Sequence, residues 1–177
     1  LVQMTNQERA AAGLAPLSEN PELIEAAELK ARDMLQKDYF SHWSPDGTSP
    51  WYWFGVAGYD YRYAGENLAI GFLDAKDVHR AWVTSPSHRD NILGSDYSDI
   101  GIAVVEGEFY GQRTFLVVQV FGSRNVPQAA SAPALEPIVP EEPTMREELP
   151  VVAIPSDPVP DGTVIEDPIA EGGPSPD

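Results

Sequence analysis

The chain of 177 residues contains no cysteine. That absence excludes a disulfide framework, a thiolate metal site and a cysteine nucleophile. Basic residues are also scarce, with 11 Lys+Arg against 28 Asp+Glu and a formal net charge of −17. Such a chain lacks the positive surface with which nucleic-acid-binding proteins displace counterions from phosphates, so we expect no nucleic-acid partner. No apolar run approaches the roughly 20 residues that cross a bilayer, so we expect no membrane span in this sequence.

The distribution of aromatic residues and prolines divides the chain into two parts. No aromatic residue follows Phe121, whereas 12 of the 17 prolines follow residue 125. Residues 126–177 also hold 11 acidic residues against one basic residue, Arg146. A segment of this composition cannot bury enough apolar surface to offset its chain entropy. We therefore predict a domain over residues 1–125 and a disordered, Pro-rich acidic tail or linker over residues 126–177.

An alternative for the tail is that it binds a partner or occupies a groove. Two short apolar clusters, residues 151–154 and 163–165, are suited to pairing with an exposed strand edge.

Helical signals dominate the first part of the domain. The residues predict a helix over 1–12 that ends at Gly13, and a second over 21–37 that begins at Asn20-Pro21-Glu22. A third helix begins at Asp74, and Pro86 ends it. Residues 42–63 are irregular apart from one helical turn near 51–56.

The last part of the domain is β-branched and apolar. Residues 100–105 and 114–121 predict an antiparallel hairpin with a long connection. Helices that precede a sheet, rather than alternate with strands, indicate an α+β domain.

Three histidines, His42, His79 and His88, are the first candidates for chemistry. His42 and His88 lie in Gly/Pro/Ser-rich stretches, where functional groups are often displayed, and Glu66 stands between an aromatic loop and an apolar stretch. A metal or acid–base site built from these three is one reading. Since their spacing matches no local ligand motif, structural histidines are the other. His79 lies inside the third predicted helix and is interpreted as a surface or packing residue.

Several motifs together give the sequence a family resemblance. The blocks, in chain order, are Asn-Gln-Glu-Arg at 6–9, Phe-Ser-His at 40–42, Gly-Glu-Asn-Leu at 65–68, Trp-Val-Thr-Ser-Pro-Ser-His-Arg-Asp-Asn at 82–91 and Val-Gln-Val-Phe-Gly at 118–122. With these blocks the chain resembles the CAP superfamily, or SCP-like domain (cysteine-rich secretory, antigen 5, pathogenesis-related 1), in its cysteine-free bacterial form.

The resemblance implies a three-layer α–β–α sandwich with a central antiparallel sheet, secreted or displayed at the cell surface. In this family two histidines and two glutamates line a large central groove, and the histidines often hold a divalent ion such as zinc. By this likeness His42 and His88 are the metal ligands. Glu66 is a partner to a ligand histidine or bound water rather than a ligand. Ser85 occupies the place of the second glutamate.

The segment 43–63 holds eight aromatic residues. These rings either pack the loop against itself or form an aromatic wall for an apolar or sugar-like ligand. Our candidates for the groove lining are Trp43, Trp51, Tyr63 and Asn91.

Three functions are compatible with these observations. The first is an extracellular, monomeric module whose groove binds a small apolar, lipid-like ligand and a weakly held divalent metal. The second is a metal-dependent, peptidase-like hydrolase in which Glu66 is the catalytic base. The third is a structural or adhesion module that contacts a cell-surface component from an acidic stalk.

Overall fold

The computed structural model describes residues 1–124 and the backbone of residues 163–164 and 169–172. Five helices and six strands occur in this part of the chain. They are α1 (Val2–Ala11), β1 (Ser18–Glu19), α2 (Pro21–Gln36), α3 (Tyr52–Val56), β2 (Tyr61–Ile70), α4 (Ala75–Thr84), α5 (Pro86–Ile92), β3 (Asp99–Phe109), β4 (Gln112–Arg124), β5 (Thr163–Val164) and β6 (Ile169–Gly172).

Helices α1 and α2 begin and end close to where the sequence predicts, because the signals at their ends are local. The Asn20 side chain accepts hydrogen bonds from the backbone N–H groups of Glu22 and Leu23 at the start of α2, and Pro21 needs no partner there. Gly13, with φ +75°, follows the end of α1. The expected helices over 1–12 and 21–37 and the helical turn near 51–56 are confirmed.

One sheet runs through the middle of the domain. Its strand order is β1-β3-β4-β2-β5, and β6 also pairs with β2. All pairs are antiparallel except the two-residue β1, which runs parallel to β3. Two apolar clusters cover the two faces of the sheet. One joins the sheet to α2 and α3, and the other contains residues of α4, α5 and the first residues of the chain. The architecture is thus the expected three-layer α–β–α sandwich.

Strand alternation assigns neighbouring residues of β2 to opposite faces of the sheet. Leu68 belongs to the cluster on the α2 side, and Ala69 belongs to the cluster on the α4 and α5 side. By the same alternation Glu66 points toward α2 and Asn67 points toward α5. These two residues therefore begin two different parts of the candidate site.

Helix α2 approaches β3 most closely at Gly101. A Cβ atom there would lie 2.2 Å from the backbone carbonyl carbon of Leu23, so no larger residue fits without moving the helix. This contact holds α2, and the residues it presents to the sheet, against the centre of the fold.

Three sequence predictions are wrong in detail. Strand β2 begins at Tyr61, inside the stretch expected to be irregular, because its aromatic and small residues pair with β4 rather than with a local neighbour. The connection between β3 and β4 is a tight turn at Tyr110 and Gly111, since Glu106-Gly107-Glu108 continues β3. Pro86 is the first residue of α5, where its missing N–H costs nothing, and this places His88 on a helix rather than in a loop.

Two short stretches of the expected tail are strands. Residues 163–164 pair with β2 at Ala69 and Ile70, and residues 169–172 pair with β2 between Tyr63 and Glu66. The apolar cluster at 163–165 thus contributes two residues, Thr163 and Val164, to a strand pair with β2. The remainder of the predicted tail, including the cluster at 151–154, lies outside the described residues.

Candidate functional site

The centre of the site is a contact between His42 and Glu66. Glu66 projects from β2, and His42 lies in the loop that follows α2. Their Nδ1 and Oε1 atoms are 2.7 Å apart, and both side chains are buried. An ionised carboxylate only accepts hydrogen bonds, so His42 donates through Nδ1, and in the neutral ring the lone pair then lies on Nε2. The contact fixes both the orientation and the tautomer of the imidazole.

A buried lysine supports the loop that carries His42. The Nζ of Lys30, on α2, donates to the backbone carbonyls of His42 at 2.6 Å and Ser41 at 2.9 Å, and to the hydroxyl of Tyr39 at 3.2 Å. Burial lowers the pKa of Lys30, while the negative charges of Glu66 and Asp33 raise it. Lys30 thus supplies both the hydrogen bonds that hold the loop and a cation near the carboxylate of Glu66.

The same loop is fixed at two further points. Tyr39 donates to Asp33 at 2.6 Å, and its pKa is raised, first by burial and then by this bond. Asp46 accepts from Lys37 at 2.7 Å, and its Oδ1 accepts from Ser44 at 2.5 Å. These bonds, led by that from Lys37, hold the pKa of Asp46 well below its usual range. The His42 segment is therefore tied down on both sides of the imidazole.

The second histidine is held by a hydroxyl. Ser85 precedes α5, and its Oγ lies 2.6 Å from Nδ1 of His88, three residues later. Both residues are buried. Ser85 therefore contacts a candidate ligand histidine directly, as Glu66 does for His42.

Buried amides connect the helix that carries His88 to the strand that carries Glu66. Asn91 donates to the backbone carbonyl of Glu66 at 3.0 Å and to the side chain of Asn67 at 2.9 Å. Asn67 donates to the backbone carbonyl of His88 at 3.2 Å and to Gln119 at 3.0 Å. Two adjacent residues of β2 thus hold different parts of the site: Glu66 contacts His42 on one face of the sheet, and Asn67 contacts α5 on the other.

Helix α1 is attached to this network at two points. Gln119 donates to the hydroxyl of Thr5 at 2.9 Å. The guanidinium of Arg9 donates through Nη1 to the backbone carbonyls of Ile92 at 2.9 Å and Gly94 at 2.7 Å, at the end of α5. Burial lowers the pKa of Arg9. α1 therefore braces the helix that positions His88.

The groove-lining candidates occupy different environments. Trp43 is 52% exposed beside His42, and Tyr63 is partly buried against the cluster on the α5 side. Trp51 lies in the core cluster against Phe54, which makes it a packing residue, and Asn91 is part of the amide network.

A cavity of about 410 Å³ lies at the β3–β4 turn, away from His42 and Glu66, with Phe109 and Arg113 among its lining residues.

The side chains of the candidate site can be compared with those that metal ions require. Among the side chains that the structure describes in residues 1–124, no group of three or more His, Asp or Glu is placed to hold a metal ion. The ligands expected from the family resemblance, His42 and His88, have their Nδ1 atoms in contact with a carboxylate and a hydroxyl, respectively, so each ring would coordinate through Nε2. Zinc sites with catalytic roles usually have three protein ligands, so two imply modest affinity.

The sequence analysis did not identify Lys30 or the amides of Asn67 and Gln119 as site residues. A signal for Lys30 exists, since it shares the buried face of α2 with Ala27, Ala31 and Met34. A lysine on such a face needs partners, because burying an unpaired cation is costly. Gln119 gives a weaker signal, as one polar residue within a buried apolar strand.

Comparisons with known proteins agree with this architecture. A family model described as "CAP: Cysteine-rich secretory protein family" matches residues 2–121. The uncharacterized protein YkwD of Bacillus subtilis (strain 168) is 41% identical over 106 residues, which make up 60% of this chain and 41% of that protein. The chain spans less than half the length of the curated relatives it matches.

Two solved structures are similar to the fold. An extracellular protein containing an SCP domain from Bacillus anthracis str. Ames has a TM-score of 0.61 at 25% identity, covering 69% of this chain and 39% of that one. An outer surface protein from Borrelia burgdorferi has a TM-score of 0.58 at 25% identity, covering 70% and 90%. In the part of our chain that the structure describes, no helix is both long and apolar enough to cross a membrane.

Proposed function

This chain belongs to the CAP, or cysteine-rich secretory protein, family, and we propose that it acts outside the cell as a ligand-binding module centred on His42, Glu66 and His88. Relatives described as extracellular or outer-surface proteins support the location. The observation that carries the site is the 2.7 Å contact between the buried side chains of His42 and Glu66. A buried carboxylate that orients an imidazole is the usual support of a ligand histidine.

The proposed cleft holds one divalent metal, such as zinc, through His42 and His88. Glu66 and Ser85 orient the two rings without ligating. When bound, the metal supplies a Lewis acid to whatever ligand lies beside it. Two protein ligands leave the remaining positions to water or ligand, so binding is reversible.

The ligand itself is proposed to be small and apolar, or lipid-like. The indole of Trp43 is 52% exposed next to His42, and Tyr52 and Val56 of α3 are 55% and 50% exposed. An exposed indole next to a buried polar centre, with further exposed apolar side chains on α3, suits a ligand with an apolar body and a polar end.

Zinc titration of the full chain tests the metal. We expect saturable binding that His42→Ala and His88→Ala each abolish, because each variant removes one of only two protein ligands. Glu66→Gln should weaken binding by about 10–100-fold, since it removes the carboxylate that orients His42. Isothermal titration calorimetry measures the zinc affinity of all three variants. His79→Ala is the matched control, because His79 lies on α4 and contacts Glu8. Zinc affinity equal to that of the unaltered protein in either the His42→Ala or the His88→Ala variant would rule out the proposed metal site.

Hydrolysis is the second candidate, and one observation favours it. The Oε2 atom of Glu66 is buried and has no hydrogen-bond partner among the described residues, so this oxygen remains able to accept a proton from water. If the cleft hydrolyses peptides, Glu66→Gln should reduce turnover of a peptide library by at least about 100-fold. The circular dichroism spectrum should not change. Turnover that survives the substitution would exclude Glu66 as the base.

A further inference from the structure

The cavity at the β3–β4 turn is large enough to bind a small molecule. Its volume of about 410 Å³ lies within the range of about 300–1,000 Å³ that is usual for such sites. Its apolar lining includes Ile70 and Phe109, which are buried, and Leu73, which is 86% exposed. The lining contains neither His42 nor Glu66. The cavity is therefore separate from the site of the proposed function.

The turn beside this cavity has an unusual backbone. Phe109 pairs with Gln112 across the turn. Tyr110 and Gly111, which lie between them, both have positive φ values, +48° and +74°. Asparagine, aspartate and glycine are the usual residues in such turns, because a larger side chain is sterically strained there. A tyrosine at the first position of the turn therefore costs stability.

The strained tyrosine is fixed by its neighbours, and its ring stays accessible. Its backbone N–H donates to Oδ1 of Asp38 at 2.9 Å. Asp38 has a φ of +50°, and no other non-glycine residue in the described part of the chain shares a positive φ with Tyr110. The Tyr110 ring packs edge-to-face on buried Phe109, with 4.8 Å between the centroids, yet Tyr110 is 47% exposed. Backbone strain of this kind is concentrated at functional sites.

The polar lining of the cavity indicates the class of ligand. Arg113 and Glu106 are its two charged residues, and their Nε and Oε1 atoms are 2.6 Å apart, so the lining has no net charge. Gln112 and Thr114 add uncharged hydrogen-bonding groups. A lipid tail would displace water from these groups without replacing its hydrogen bonds. A pyranose, in contrast, has an apolar C–H face that can stack on the Tyr110 ring and hydroxyls around its edge for the polar groups.

We propose that this cavity binds a short neutral saccharide of about two or three pyranose rings, stacked on Tyr110 and hydrogen-bonded by Arg113 and Glu106. The contact between Arg113 and Glu106 orients both groups in advance, which lowers the entropic cost of binding. β3 pairs with β4 along its whole length, so the turn is attached to a rigid sheet. The inference goes beyond the proposed function, because the saccharide site needs neither the metal nor the histidines.

Isothermal titration of the full chain with chitotriose, maltotriose and cellotriose tests this site. We expect saturable binding of at least one of these probes. Tyr110→Asn and Arg113→Gln should each weaken it by at least about tenfold, whereas Tyr110→Phe, which keeps the ring, should preserve it. Arg80→Gln is the matched control, because Arg80 is also exposed and paired with an aspartate, Asp77. Binding of none of the probes, or unchanged affinity in Tyr110→Asn, would overturn the proposal.

Thermal unfolding of the Tyr110→Asn variant separates binding from packing. Asparagine tolerates a positive φ, so the variant should melt at the same temperature as the unaltered protein or at a higher one. A lower melting temperature would show that the ring serves the stability of the turn, and it would overturn the proposal. Binding of the apolar dye anilinonaphthalene sulfonate that Tyr110→Asn abolishes, with no saccharide bound, would also overturn it and would indicate an apolar ligand instead.

Discussion

Replacing Lys30 by methionine should lower the free energy of unfolding by about 3–5 kcal/mol, the usual cost of removing one partner from a buried charged group. Methionine has a similar length, so packing along α2 is largely kept. The ammonium, however, makes three hydrogen bonds, two of them to the backbone carbonyls of Ser41 and His42. These carbonyls lose their donor when it is removed.

The lost charge matters as much as the lost hydrogen bonds. Lys30 is 1% exposed and lies close enough to Glu66 and Asp33 for both carboxylates to raise its pKa. Without the cation, the side chain of Glu66 stays buried against His42 but loses a nearby positive charge. The His42 loop should therefore loosen, and zinc affinity should fall together with stability.

Urea unfolding followed by circular dichroism measures this effect. Lys76→Met is the matched control, because Lys76 is exposed on α4 and should change stability by less than about 0.5 kcal/mol. Combining Lys30→Met with Glu66→Gln should cost less than the sum of the two single changes, by about 0.5–3 kcal/mol, since the second change removes the uncompensated charge. Strict additivity would show that Lys30 and Glu66 do not interact.

The domain should unfold in alkali between about pH 10 and pH 12, because three of its four buried tyrosines have pKa values raised above the usual range. Burial raises the pKa of Tyr97 to about 12, and it raises the pKa values of Tyr39 and Tyr59 further, with help from bonds to Asp33 and Asp99. A raised folded-state pKa favours the protonated form. The stability is complete below the unfolded pKa of about 10 and is lost as the pH rises above it.

The expected loss of unfolding free energy per pH unit is large. Each tyrosine contributes up to about 1.4 kcal/mol per pH unit above its unfolded pKa, so three contribute about 4 kcal/mol per unit. A domain whose free energy of unfolding is about 5–15 kcal/mol should lose most of it over this pH range. Lys30, whose pKa is lowered by burial, acts in the opposite direction, but only up to its unfolded pKa of about 10.4.

Tyrosinate absorbance and circular dichroism, recorded together across this range, should change in one cooperative step. Tyr97→Phe should reduce the slope by about a third, since one of the three groups is gone. Tyr52→Phe should leave it unchanged, because Tyr52 is 55% exposed. Gradual tyrosine ionisation with an intact spectrum would contradict the explanation.

Local features of the fold could be predicted from the sequence, and non-local ones could not. Asn20-Pro21 and Gly13 define helix ends through bonds to their own neighbours, so single residues reveal them. The extent of β2 depends on its partner β4, some 50 residues later, and its pairing with β6 on a segment beyond residue 125. Pro86 was misleading because proline both ends one helix and begins the next.

The site shows the same division. Family motifs indicated His42, Glu66 and His88, and the structure brings the first two into contact and attaches the helix of the third to β2. The residues that support them were missed, because Lys30 acts through carbonyls 11 and 12 residues away and Gln119 through an amide 52 residues away. Their roles depend on the folded arrangement, which no single stretch of sequence contains.

The hydrogen bonds from Arg9 to the end of α5 have a mechanical consequence. Its guanidinium joins α1 to the carbonyls of Ile92 and Gly94. Thr5, earlier on the same helix, accepts a hydrogen bond from Gln119 of β4. Tension applied to the first residues of the chain would therefore load the sheet at Thr5 before it loads α5 at Arg9. The helix that carries His88 would be shielded from the pull until the bond between Thr5 and Gln119 breaks.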